Sequence, residues 1–541
     1  MRDSKRPDRS PLPIHPVLFA LFPLVSVLSA NISQLKVLDA GRSVALALVA
    51  AMALVLLYSL ILRDLMKAAL VASATILLFF TYGHAYSILK TISISDLVFG
   101  RHRFLLPASV IVLVIIFWWA ARSRGSLAGI TRLLNVIAGI ALLLPCASLV
   151  GYFGAGLAAG QREPTTPNPW GNETFALDAN ELPDIYYIIT DAYARSDVLL
   201  DDYHYDNSAF LGSLEGMGFT IAERSVPNYF WTHLALAAAL NMDYIPDLLP
   251  GWTQGEHIDT ADLIKHGRVR SRLEGLGYST VGFATGWEET ELFDADYLLT
   301  PDISRLDLLS QQGMFNEFEG LVIHSSALRA VQDLDARSST PVARYIAQRM
   351  QRRYTVQREI ILAEFENLQQ VPKIPGPKFV FVHIISPHGP YIFAADGQQR
   401  EQSGPFSLTA DTDAGPEQEA EAYVGQLEFI SSQLEETIRV VLSESDRPVI
   451  IVLQSDHGPG RINWEAPEAG PVRARAANLN AYYLPVECRH LLSPMSSPVN
   501  TFRIVFNCVF GDDLPLLDDV TYVGYEEFLT LDEYLARYVT P

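Results

Sequence analysis

The sequence predicts two dissimilar halves: an N-terminal bundle of about five transmembrane helices, then an exported α/β domain whose mostly parallel sheet is covered by helices on both faces. Three observations predict this. Charge is unevenly divided, apolar stretches of membrane-crossing length are confined to the first 160 residues, and the remainder alternates short β-branched runs with helix-periodic segments. Of the 541 residues, positions 1–160 hold 14 Lys+Arg and 5 Asp+Glu, against 26 and 56 in the rest. The first part therefore carries +9 and the second −30. An acidic domain of that kind repels phosphate backbones, so no nucleic-acid partner is expected.

The apolar stretches are Ile14–Leu28, Val44–Leu62, Ala68–Leu89, Phe104–Ala121 and Leu133–Leu157. Most approach the roughly 20 residues that cross a bilayer core. Arg2, Lys5, Arg6, Arg9, Arg63, Lys67, Arg122, Arg124 and Arg132 fall on one side, and Lys36, Arg42, Lys90, Arg101 and Arg103 on the other. This bias predicts a cytoplasmic N-terminus, and an odd number of spans puts everything after residue 160 outside. The first stretch, ending "VLSANIS", also reads as a cleavable signal; four spans would then remain and the large domain would still end outside. The spans hold few ionisable residues, which speaks against a pump or channel; they are either an anchor alone or an anchor that also brings a lipid substrate to the active site. Cys146 lies in the last span, whereas Cys488 and Cys508 are either a disulfide, in an oxidising compartment, or two buried thiols.

Residues 160–183, "GQREPTTPNPWGNETFALDANELP", have no apolar period and read as a linker, which divides the chain into 1–159, 160–183 and 184–541. Beyond it, strands are predicted at 184–190, 278–285, 378–385, 448–454 and 480–485. Nearly continuous apolar strands separated by helical segments imply a parallel sheet buried on both faces. "PVARYIAQRMQRRYTVQREIILAEFENL" reads as a surface helix, and the acidic 394–422 as an inserted loop, either filler or a lid.

Ligands of open α/β sheets gather outside the carboxyl ends of the strands. The first predicted strand is followed by Asp191, the third by "SPHGPY" with His388, and the fourth by "SDHGPG" with Asp456 and His457. Singly, each is an ordinary turn or cap residue; their convergence makes a metal site. Thr232 stands at the start of the alanine-rich segment Leu234–Leu240. It is either an N-cap or, beside a metal and a helix N-terminus, a nucleophile.

With these residues in place, together with "GLGYSTVGFATG" at 275–286, the chain resembles the alkaline phosphatase superfamily over residues 183–510. Within it, the chain resembles the sulfatase-like branch that holds lipoteichoic acid synthases and lipid-dependent phosphoethanolamine transferases. The resemblance implies one divalent metal, whether manganese, zinc, magnesium or calcium, bound by Asp191, Thr232, Asp456 and His457. It further implies Thr232 as nucleophile and His388 at the substrate. Arg195, Arg473 and Arg475 are additional candidates for substrate contact. The implied activity is transfer of a phospholipid-derived head group to an envelope glycan or lipid. Two alternatives stand beside it: hydrolysis of an anionic phosphate or sulfate ester, and a catalytically silent scaffold. Three departures narrow the reading: "WTHLAL" lacks the C/S-x-P-x-R motif of formylglycine sulfatases, only His490 follows His457 to complete a second metal site, and Asp191 replaces the Glu usual in the transferases.

Overall fold

The computed structural model describes residues 11–32, 37–89, 93–94, 97–98, 100–159, 182–249, 260–301, 316–330, 341–402, 416–460, 466–524 and 528–539, and a few single positions between them. The predicted linker therefore lies almost wholly outside the described residues. The chain forms two compact units, one of Met1–Ala155, Gln312–Arg353 and Ser403–Ala410, the other of Gly156–Gln311, Tyr354–Gln402 and Asp411–Pro541.

The first unit holds five apolar helices: α1 (His15–Ala30), α2 (Gly41–Leu62), α3 (Leu65–Leu89), α4 (His102–Arg122) and α5 (Ala128–Ala159). Four of them are long and apolar enough to cross a membrane, and α1 is shorter at 16 residues. Of those four, α3 is the most buried. Its small residues Ala68, Ala69, Ala72 and Ser73 let neighbouring backbones approach closely, the usual way helices associate in lipid. Polar pins complete the packing: Asn135 accepts hydrogen bonds from the backbone N–H of Ile14 (3.1 Å) and His15 (3.0 Å), and His15 Nδ1 lies 2.6 Å from Ser73 Oγ.

A short helix, α6 (Glu317–Ser325), belongs to the same unit although it comes from far along the chain. Asn316 and Glu319 form a capping box at its start, and Glu319 also pairs with Arg42 of α2 (Nε to Oε1 2.6 Å). Phe318 and Val322 pack with Leu24, Leu28 and Ala40. Gly83 of α3 lies so close to the backbone of His324 and Ser325 that a Cβ there would collide.

The second unit is built on a seven-stranded sheet. Its strands are β1 (Asp184–Asp191), β2 (Thr220–Ile221), β3 (Ser279–Phe283), β4 (Tyr297–Leu299), β5 (Lys378–Pro387), β6 (Val449–Ser455) and β7 (Asn480–Tyr483), in the order β2-β7-β6-β1-β5-β3-β4. β6, β1, β5, β3 and β4 are parallel, and β7 pairs antiparallel with β6 and β2. All five predicted strands are present; the short edge strands β2 and β4 carry no long apolar run and escaped notice. β1 and β5 are buried throughout, which is why they read as unbroken apolar runs.

Three helices matter for the site. α7 (Thr232–Asn241) is buried from His233 onward; being apolar all round, it can only sit inside the core. α8 (Pro416–Glu444) begins inside the segment expected to be a loop, so the insertion narrows. Residues 394–402 form an ordered turn packed on α8 through the stacked rings of Phe393 and Phe429. α9 (Ala469–Arg475) precedes β7. A disulfide joins Cys488 to Cys508, settling the cysteine question in favour of pairing.

Candidate active site

Because β1 lies between β5 and β6 in parallel register, the carboxyl ends of all three meet: Thr190 opposes Ser455, and Asp191 opposes Pro387. The register with β5 slips between Thr190 and Asp191, with Ile384 as the partner of Thr190 and Pro387 that of Asp191. Such an irregularity re-aims side chains; here His388 N–H donates to the Asp191 carbonyl at 2.9 Å.

Asp191 and Asp456 are buried carboxylates. Asp456 Oδ1 accepts from the N–H of Ala192 (3.1 Å) and His457 (2.9 Å), but Asp456 Oδ2 and Asp191 Oδ1 have no hydrogen-bond partner among the described residues. Two unsatisfied buried anionic oxygens are costly unless a cation joins them. A third orphan, His383 Nε2, lies 3.6 Å from Asp191 Oδ2. One atom each from Asp191, His383 and Asp456 fall within 4.8 Å of one another. That donor set fits a divalent metal.

The predicted His457 sits on the same cluster, its Nε2 3.8 Å from Asp191 Oδ1 and 3.3 Å from Asp456 Oδ2. His457 Nδ1 faces the Gly458 carbonyl at 2.9 Å and must donate to it, which leaves Nε2 as the acceptor for Arg475 Nη2 at 3.1 Å. Burial, with Arg475 adding to it, lowers the imidazole pKa to about 4, so the ring is neutral and can act as a ligand. For Asp191, burial pushes the carboxyl up, but the imidazoles of His388, His383 and His457 outweigh it and hold the group below the ordinary carboxylate range.

Thr232 is the first residue of α7, not its N-cap; Trp231 holds that place with extended backbone. Its Oγ1 lies 3.4 Å from His457 Nε2. The hydroxyl thus stands at the edge of the acidic cluster, beside the free N–H groups of a helix start. His388, half-buried, has its ring 6.4 Å from that of His457.

The three arginines part company. Arg475 reaches the cluster, anchored by Nε to the Phe230 carbonyl (2.9 Å) and by Nη1 to the Gly460 carbonyl (3.2 Å). Arg473 is exposed. Arg195 forms a two-pronged pair with Asp197, both bonds 2.7 Å, and donates to the Ser225 carbonyl, so its guanidinium is committed to a salt bridge. His383 is the residue that sequence reasoning missed. It lies inside "KFVFVHII", and the available signal was an imidazole in an otherwise apolar buried run, which needs a partner.

Residues 304–483 match the family model described as Sulfatase. The match contains His383, His388, Asp456, His457 and Arg475, while Asp191 and Thr232 precede it. No curated protein matches the chain. Solved structures similar to it include the phosphoethanolamine transferase EptA from Neisseria meningitidis, at 12% identity over 91% of this chain and 95% of that one, with a TM-score of 0.41. The periplasmic domain of EptC from Escherichia coli in complex with Zn aligns at 14% identity over 66% and 96%, TM-score 0.41. BT1596, a 2-O GAG sulfatase, aligns at 14% identity over 62% and 72%, TM-score 0.34. Over residues 304–483 the chain is similar to a sulfatase domain.

Proposed function

We propose that the protein is a membrane-anchored, metal-dependent phosphotransferase that moves a phospholipid-derived head group, of phosphoglycerol or phosphoethanolamine type, to an envelope glycan or lipid through a phospho-threonine. The observation that carries this reading is the Thr232 hydroxyl at a helix N-terminus, on the edge of a buried cluster of unpartnered carboxylate oxygens. Asp191, Asp456 and His457, with Thr232 and the newly placed His383, would hold one divalent ion, whether manganese, zinc, magnesium or calcium. When bound, that ion supplies Lewis acidity that favours the alkoxide of a nearby hydroxyl.

Thr232 Oγ1 attacks the phosphorus in line, forming the Oγ1–P bond as the bond from phosphorus to the diacylglycerol oxygen breaks. The N–H groups opening α7 and the guanidinium of Arg475 face the charge on the phosphoryl oxygens. His388 protonates the departing oxygen. In the second half-reaction an acceptor hydroxyl attacks the same phosphorus and Thr232 leaves. The catalytic unit works on the extracytoplasmic side, where the charge bias of the spans would place it.

Vesicles containing head-group-labelled phosphatidylethanolamine and phosphatidylglycerol, incubated with the full chain and a divalent metal, test this by peptide mass spectrometry. Labelled head group on Thr232, absent from Thr232→Ala, is the expected result. Release of free head group without an acceptor would replace transfer by ester hydrolysis, the reading that the sulfatase match also favours. No bound metal and no adduct with either lipid would leave a silent scaffold.

A further inference from the structure

We propose that Gln426, on α8, is the positioning residue that sets His388 relative to Asp191, and that Tyr423, one turn earlier, braces the Asp191 side of the same gap. The inference rests on the reading of His388 as the proton donor. Gln426 is buried, and its carboxamide is committed on every side. Nε2 donates to the carbonyls of Pro387 (3.2 Å) and His388 (2.9 Å), while Oε1 accepts from the N–H of Ile392 (2.6 Å) and Phe393 (3.1 Å). One side chain thereby clasps both ends of the loop "PHGPYIF" that carries His388. Such a loop runs outside the sheet and has few strand bonds of its own, so its backbone groups need partners from elsewhere.

Tyr423 does the same for the turn after β1. Its hydroxyl donates to the Ala192 carbonyl (2.9 Å) and accepts from the Ala194 N–H (3.1 Å). Ala192, next to Asp191, has φ +61°, a left-handed conformation that is unfavourable for a residue with a Cβ and persists only where surroundings impose it. Positions i and i+3 lie on one helix face, so a single rigid helix fixes both walls of the site. Among the described residues neither side chain hydrogen-bonds to a carboxylate or imidazole of the cluster. Their influence runs through the backbone of the segments that carry those groups.

The test uses the full chain in detergent or lipid discs. Gln426→Glu keeps the acceptor for Ile392 and Phe393 but puts an oxygen where the donor to Pro387 and His388 stood; Gln426→Asn keeps the amide and shortens its reach, and serves if the first variant does not fold. Head-group transfer should fall about tenfold to a hundredfold, the scale expected for a displaced proton donor, with metal affinity unchanged. The double variant Gln426→Glu/His388→Ala should be no slower than His388→Ala alone, because both remove one function. Independently of activity, diethylpyrocarbonate should modify His388 several-fold faster in the Gln426 variants, with the exposed His490 as the unchanged reference. Folded variants with wild-type transfer and wild-type His388 modification would overturn the proposal. An additive loss in the double variant would also overturn it, since that marks a general loss of structure. If the wild-type chain transfers nothing, the functional reading fails, and the modification rates still decide the role of Gln426.

Discussion

At the scale of single residues, the stretch "SDHGPG" shows how closely the site is packed. A Cβ on Gly458 would run into the carbonyls of Ala474 and Ala477, which are backbone atoms and cannot swing aside. Gly458→Ala should therefore cost about 1–3 kcal/mol, read as a lower Tm, and should weaken metal binding in calorimetry because α9 and Arg475 must retreat. Glu364 offers a separate test. It is buried, both carboxylate oxygens lack a hydrogen-bond partner among the described residues, and burial with the nearby Glu291 raises its pKa well above the ordinary value. A raised folded-state pKa gives a contribution that is full below the unfolded value near 4.5 and is lost as pH rises toward the folded one. Glu364→Gln, neutral at every pH, should flatten the decline of Tm with rising pH and stabilise the protein by about 1 kcal/mol at alkaline pH; an unchanged slope would reject the assignment.

At the scale of elements, what the sequence revealed followed from burial. β1, β5 and β6 are enclosed on both faces, so their composition announced them, and the polar residues just beyond their ends announced the site. β2 and β4 are two and three residues long and only partly buried, so composition left no trace of them. His383 was hidden for the opposite reason: it sits within a strand, where an apolar run invites the eye past one imidazole. The pairing of Asp191 with His388 was also illegible, since it depends on the register slip in β5. The Cys488–Cys508 disulfide, with Cα atoms 5.5 Å apart and a sequence separation of 20, ties the Val486–Leu491 turn to the helix Pro498–Val509. Cys488→Ser should lower stability by about 2–4 kcal/mol, measured by denaturant unfolding with and without reductant. The reduced wild-type protein should match the variant.

At the scale of the whole molecule, apolar length and charge bias announced the helices α1 to α5, but nothing in composition announced that Gln312–Arg353 groups with them. α6 is short, and its partners Arg42, Leu24 and Gly83 lie hundreds of residues away in sequence. Gly83→Leu should disrupt this contact, because the added side chain meets the backbone of His324 and Ser325. Limited proteolysis should then cut within 316–330 faster than in wild type, and an unchanged cleavage pattern would reject the close approach. The seating of α6 also has a temporal side. A ribosome delivers the five apolar helices first, yet the piece that caps Leu24, Leu28 and Ala40 emerges only after residues 160–316 have also been made. That apolar surface must therefore wait bare until the chain through residue 330 has been made. Closure of the helical unit is in this way a report that synthesis has passed α6, and a chain truncated before residue 312 should leave Leu24, Leu28 and Ala40 uncovered, read as faster proteolysis after α1 than in the full chain.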